Sequence, residues 1–308
     1  MRNTIIITLL SILVSSSSFL VNFALNPESS KNIVAEDFVA DASSWEWMNY
    51  DYTDDINWIK SAKKDIYIKS YDGLNLHAYL IESKKETDKW VITLHGYNGK
   101  ADNIAANARN FFNEGYNLIV PDLRGHGTSE GDYIGMGWHD RKDILMWIDE
   151  ILKINPDAKI ALHGVSMGAA TVMMTSGEES LPDNVKCVIE DCGYTSVWDE
   201  FEFLLQTLFR LPSYPILDYV NVINMSKNGY GLKQASALKQ IKKSKTPTLF
   251  IHGDKDSFVP YDMLDILYEA AECEKEKLII EGAAHGDAAF VNPTLYWDTV
   301  FKFIDKHM

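Results

Sequence analysis

Three cysteines in 308 residues cannot build a disulfide framework. Two of them, Cys187 and Cys192, sit in or beside the apolar run VKCVIEDCG, where a buried free thiol is the expected state. The Cys/His spacing of a zinc site, the phosphate-cradling glycine loop and the dinucleotide glycine fingerprint are all missing, so no metal and no cofactor are expected. Positive charge is scarce too: 29 Lys and Arg stand against 44 Asp and Glu, a formal net charge of -15. A phosphate-binding face needs clustered cations, which argues against nucleic acid as a partner. The acidity fits a soluble, self-repelling surface. There is no internal repeat.

What is present is apolar: 46% hydrophobic and 12% aromatic residues, enough to core one large domain or a domain with an insertion. The first 25 residues, MRNTIIITLLSILVSSSSFLVNFAL, carry one Arg at the front and no further charge until Glu28. Residues 5–14 have the length of a signal core, and residues 4–25 together could contact or span a bilayer if uncleaved. The expectation is a signal peptide or membrane anchor over 1–25, with the folded body extracytoplasmic, secreted or anchored. A buried N-terminal helix is the weaker alternative, since the segment lacks a polar face. Residues 26–60 read as a linker and N-terminal extension.

Beyond that, eight short apolar or β-branched runs recur: DIYIKS, LHAYLIES, KWVITLHG, YNLIVPD, KIALHGVS, VKCVIEDCG, TPTLFIHGDKD and EKLIIEGAAHG. From the third onward most alternate with helical patterns. Ile144, Trp147, Ile148 and Ile151 keep i, i+3, i+4, i+7 spacing before Pro156, and Trp297, Val300, Phe301 and Ile304 do so after Pro293. Such alternation predicts an α/β fold with a mostly parallel central sheet and helices on both faces. Its chemistry should lie at the carboxyl ends of the strands. The core is expected over 61–194 and 246–308. Residues 195–245, with no convincing strand but the aromatic-rich WDEFEFLLQTLFRLPSYPILDYVNVI, read as an inserted helical cap.

The segment Gly164-Val165-Ser166-Met167-Gly168 falls where one such strand ends and a helix begins. Glycines there permit a turn too tight for side chains, pushing the serine hydroxyl clear of the sheet, with helix N–H groups facing any developing negative charge. A serine hydroxyl needs a base, and the base needs an acid to hold its tautomer. Asp256, in HGDKDSFVP, and His285, in GAAHG, both follow later strands, in the chain order Ser, Asp, His. Asp191, at the end of VKCVIED, is a rival acid. Asp254 reads as a turn residue bonding its own backbone, and His95, His126, His163 and His252 as scaffolding.

These motifs, GVSMG, DLRGHG and HGDKDSFVP, resemble those of the α/β-hydrolases, closest to the bacterial esterase, lipase and peptidase-like group, over about residues 62–308. The resemblance implies Ser166 as nucleophile, His285 as base and Asp256 as acid. It also implies an oxyanion hole from the backbone N–H groups of Tyr97 and Met167, with the Tyr97 ring lining the pocket or its hydroxyl adding a third donor. The expected reaction is ester hydrolysis through an acyl-enzyme, faster as pH rises and the imidazole loses its proton. The expected partner is a small ester or acyl substrate, received by Trp198, Phe201, Phe203 and Leu204, with Leu208 and Phe209 beside them. An aminopeptidase or acyl-peptidase is the alternative, with Glu200 and Glu202 holding an amine. A non-catalytic binding protein on the same fold is the alternative of another class.

Overall fold

The computed structural model describes residues 2–29 and 49–308, so the middle of the expected linker, residues 30–48, lies outside the described residues. Each of the eight apolar runs forms a strand: β1 Lys64–Lys69, β2 Asn75–Ile81, β3 Lys89–Leu94, β4 Asn117–Pro121, β5 Lys159–Val165, β6 Val185–Asp191, β7 Thr248–Gly253 and β8 Lys275–Ile280. They form one sheet in the order β1-β2-β4-β3-β5-β6-β7-β8. Only β2 runs against its neighbours; from β4 to β8 all pairs are parallel. Parallel strands need crossover helices, which cover both faces and exclude water from the central strands.

The helices are α1 Arg2–Leu25, α2 Thr53–Ala62, α3 Ala105–Asn113, α4 Asp140–Ile154, α5 Met167–Ser176, α6 Val197–Phe209, α7 Ile216–Asn228, α8 Ala237–Ile241, α9 Asp262–Ala270, α10 Ala288–Val291 and α11 Pro293–His307. Strand alternation splits the core in two. Trp90, Ile92 and Leu94 face α4, α5 and α9, whereas Val91 and Ala161 face α2, α3 and α11. The spacing read from sequence is what buries the helices: Ile144, Trp147, Ile148 and Ile151 of α4 are at most 1% exposed. Part of the expected linker is itself helix, since α2 buries Ile59 in the second core.

Between β6 and β7 the chain forms α6, α7 and α8. Ser196 caps α6 by accepting the Asp199 N–H at 3.1 Å. Across from α6 lies α1. Its Ser17, Val21 and Leu25, spaced by four, form a buried stripe, while Ile12 and Phe19 stay exposed. Among the described residues no helix is long and apolar enough to cross a membrane.

The DLRGHG loop after β4 is held by a buried polar hub. Asp122 accepts the Ala101 N–H at 2.7 Å, the Thr128 N–H at 2.9 Å and a bond from His77 Nδ1 at 2.8 Å. Burial works against its charge, but these donors win and hold the carboxyl down at about 2. A carboxylate with a lowered folded value contributes stability above its unfolded value, and that contribution is lost as protons bind. The expected result is that Asp122 stabilisation is complete above about pH 4 and fades toward about pH 2. Asp122→Ala, which strands the donors of Ala101, Thr128 and His77, should cost about 3–5 kcal/mol at neutral pH and flatten the acid limb of a denaturant-unfolding series.

Candidate active site

At the end of β5 the chain turns through Ser166, whose backbone sits at φ 57°, ψ -116°, outside the regions a side chain prefers. Two bonds pin this conformation: the Ser166 N–H donates to the Asp191 carbonyl at 2.8 Å, and the Ala170 N–H donates to the Ser166 carbonyl at 3.0 Å. The flanking glycines are required by close approach. A Cβ on Gly164 would lie 2.3 Å from the Gly168 carbonyl, and one on Gly168 would lie 2.4 Å from the Leu94 carbonyl oxygen. Gly164→Ala should therefore cost about 3 kcal/mol or more in chemical denaturation, because backbone on both sides must move.

Asp256 and His285 come from the loops after β7 and β8, adjacent strands. The Asp256 carboxylate is fully engaged. Oδ1 accepts the N–H groups of Phe258 and Val259, each at 2.9 Å. Oδ2 accepts His285 Nδ1 at 2.7 Å and His252 Nε2 at 3.0 Å. Burial disfavours the charge, yet the two histidines and these bonds outweigh it and hold the carboxyl well below the usual range. With Nδ1 donating to Asp256, His285 Nε2 presents its lone pair, and it lies 2.8 Å from Ser166 Oγ. A carboxylate, an imidazole and a hydroxyl are thus hydrogen-bonded in series, 7–9% exposed.

Asp254 ties the two loops together. Its Oδ1 accepts the Gly282 N–H at 2.6 Å, a bond to the His285 loop, beside the bond to its own backbone that the sequence suggests. His252 donates from Nε2 to Asp256 and to the Val259 carbonyl at 3.1 Å, so it steadies the acid. His95 accepts the Leu123 N–H at 3.1 Å, His126 donates to the Arg124 carbonyl at 3.0 Å, and His163 bonds Thr93 at 2.7 Å. All are buried scaffolding.

The rival acid Asp191 is engaged by Tyr296 of α11. Its Oδ2 accepts the Tyr296 hydroxyl at 3.0 Å, and burial pushes its carboxyl up to about 6. Gly96 lies against the serine: a Cβ there would meet Ser166 Cβ at 3.4 Å and Oγ at 3.8 Å. Tyr97, which follows, and Met167 at the start of α5 line the same cavity as Ser166. The Tyr97 hydroxyl donates to the Ala24 carbonyl of α1.

Ser166 and His285 open into a cavity of about 580 Å³. Phe201, Leu204, Leu208 and Phe209 of α6 line it, as expected; Trp198 and Phe203 do not. Phe203 lies about 200° around the helix from Phe201 and so points elsewhere. Lys233 covers the Trp198 ring at 3.6 Å from its centroid. Sequence reasoning missed Leu217 and Val220 of α7 and Leu20, Phe23 and Ala24 of α1, which also line it. The i, i+3 and i, i+4 apolar pattern of α7 carries a signal, whereas the apolar run of α1 reads from sequence as a leader or anchor.

Glu200 also lines the cavity. It is 2% exposed, neither carboxylate oxygen has a hydrogen-bond partner among the described residues, and burial, then Asp256 and Asp199, push it well above the usual range. Glu202 is absent from the lining. Among the described residues the single group with ligand atoms close enough for a metal is Cys192, Asp256 and His285, within 4.8 Å. Two of these are committed to the hydrogen-bonded series, and burial holds the Cys192 thiol protonated, a poor donor set for a cation.

Residues 89–215 match the family model described as alpha/beta hydrolase fold. The protein YqkD of Bacillus subtilis, itself uncharacterized, is 28% identical over 245 residues, covering 79% of this chain and 80% of its own. Two solved structures share the architecture. The Pyrococcus furiosus esterase Pf2001 has a TM-score of 0.64 at 23% identity, over 80% of this chain and 91% of its own. Est1E of Butyrivibrio proteoclasticus, solved with ferulic acid, has a TM-score of 0.62 at 22% identity, over 79% and 98%.

Proposed function

On the α/β-hydrolase fold of this chain, we propose a serine hydrolase that cleaves carboxylic esters with an apolar acyl group. The observation that carries this reading is the series Asp256–His285–Ser166, bonded at 2.7 and 2.8 Å at the mouth of an apolar cavity. In the proposed reaction His285 Nε2 takes the Ser166 proton as Oγ attacks the ester carbonyl, and Asp256 stabilises the imidazolium. The backbone N–H groups of Tyr97 and Met167 hold the oxyanion. His285 then protonates the leaving alcohol, and water, activated by the same imidazole, releases the acid.

The test is hydrolysis of a p-nitrophenyl ester series from acetate to palmitate by the full chain, because α1 lines the cavity. Turnover with a defined chain-length optimum supports the reading, and no turnover above a Ser166→Ala control would sink it.

One observation favours a second reading. Glu200, buried and unpartnered in the cavity wall, would regain its charge beside a substrate ammonium, as an aminoacyl substrate provides. Faster cleavage of aminoacyl nitroanilides than of esters, lost in Glu200→Gln, would move the assignment to an aminopeptidase.

A further inference from the structure

The N-terminal helix makes more specific bonds than a tether needs. A helix leaves its last four carbonyls without intrahelical partners. In α1 all four are satisfied. Asn22 accepts the Asn26 N–H at 3.0 Å and Phe23 accepts the Ser29 hydroxyl at 2.7 Å. The other two are answered by the body of the protein: Ala24 accepts the Tyr97 hydroxyl, and Leu25 accepts the Ile134 N–H at 2.8 Å. About two turns earlier the Ser17 hydroxyl donates to the Ile216 carbonyl of α7 at 3.4 Å. Below these anchors, Leu20, Phe23 and Ala24 face the cavity, and the Phe23 ring meets the edge of Phe209 at 6.3 Å between centroids.

Two consequences meet at Tyr97. Its backbone N–H is the proposed oxyanion donor beside Ser166, and its hydroxyl is the anchor of α1. We infer that the C-terminal half of α1 is a wall of the acyl site that sets chain-length preference. We infer further that the Tyr97–Ala24 bond makes Tyr97 a positioning residue, holding the oxyanion loop in place. The ligand class is an unbranched apolar acyl chain lying between Phe23 and the α6 side chains. This inference rests on the ester-hydrolase reading for its kinetic part, but the wall itself depends only on the cavity.

The experiment uses the full chain with Phe23→Trp, Phe23→Asp and Tyr97→Phe. Phe23→Trp should shorten the optimum of the p-nitrophenyl ester series by about two carbons, because added ring volume takes space from the acyl chain. Tyr97→Phe keeps ring and backbone and removes the hydroxyl that anchors α1. It should lower kcat about tenfold for every chain length while KM changes little, since a displaced donor weakens the transition state and not acyl contact. Decanoate binding to the Ser166→Ala background, followed by titration calorimetry, reads the wall without chemistry. Adding Phe23→Asp should weaken it about fivefold or more. An unchanged chain-length profile together with unchanged decanoate affinity in the Phe23 variants would overturn the wall. A Tyr97→Phe enzyme with wild-type kcat would overturn the positioning role. Absence of any Ser166-dependent turnover counts against the hydrolase reading and the Tyr97 role, and the calorimetry then decides the wall alone.

Discussion

Replacing Ser166 by alanine is expected to lower kcat for ester hydrolysis by on the order of 10⁵-fold, leaving folding and substrate binding nearly intact. The size follows from the arrangement. Ser166 Oγ lies 2.8 Å from His285 Nε2, in position to lose its proton to it, and the variant has no atom there to attack a carbonyl. Met167, Gly96 and Tyr97 remain, so residual rate reflects the oxyanion donors and acyl binding alone. The backbone strain at Ser166, with φ 57°, costs alanine at least as much as serine, so a small loss of stability is expected as well. Stopped assays across the ester series, with thermal unfolding as a control for folding, check both. A folded Ser166→Ala protein that keeps a tenth of the wild-type rate is incompatible with this nucleophile.

Asp256→Asn should cost on the order of 10⁴-fold in kcat with KM little changed, and Asp191→Asn should cost almost nothing. The asymmetry comes from the bonds each carboxylate makes. In Asp256 one oxygen is claimed by the N–H groups of Phe258 and Val259. An asparagine must leave its carbonyl there and turn its NH₂ toward His285 and His252. That NH₂ cannot accept from Nδ1, so His285 is driven to the other tautomer, with its proton on Nε2 facing the serine. The base then has no lone pair for the reaction. His252 Nε2–H loses an acceptor as well, which adds a measurable drop in stability. Asp191, raised to about 6 by burial, accepts one bond from Tyr296, which an asparagine carbonyl can also accept. Comparable losses in the two variants would transfer the acid role to Asp191. Comparing kcat and KM for both, with NMR of the imidazole protons to read the tautomer, separates the cases.

The two acids show where sequence reasoning had purchase and where it stopped. Both follow apolar runs, so both reach the carboxyl edge of the sheet, and the motif around Asp256 was the stronger argument. Strand parity supplies the reason the structure separates them. Along β6, Cys187 and Ile189 belong to the core beneath α11, and Asp191 continues that side, toward Tyr296. Asp256 leaves β7 beside β8, the neighbour that carries His285.

Much was legible because it is local. Each strand is a short apolar run bounded by turn residues, α4 and α11 repeat their apolar positions at helical spacing, and the elbow at Ser166 is written in five consecutive residues. Such features depend on neighbours within one or two turns of chain, so the sequence by itself determined the eight strands, the class of sheet and the candidates at its edge. What only the tertiary structure decided depends on partners far apart in the chain. Trp198 and Phe203 were equal candidates with Phe201 until the azimuth of α6 over the sheet chose among them. The buried, unpartnered state of Glu200 follows from what surrounds it, not from its own segment. The contacts of residues 17–25 were hidden for the same reason: the groups that answer the carbonyls of Ala24 and Leu25 stand on Tyr97 and Ile134, far along the chain. An apolar helix reads alike whether lipid or protein lies against it, and its buried stripe and the directional hydrogen bonds at its end are visible in the tertiary structure alone.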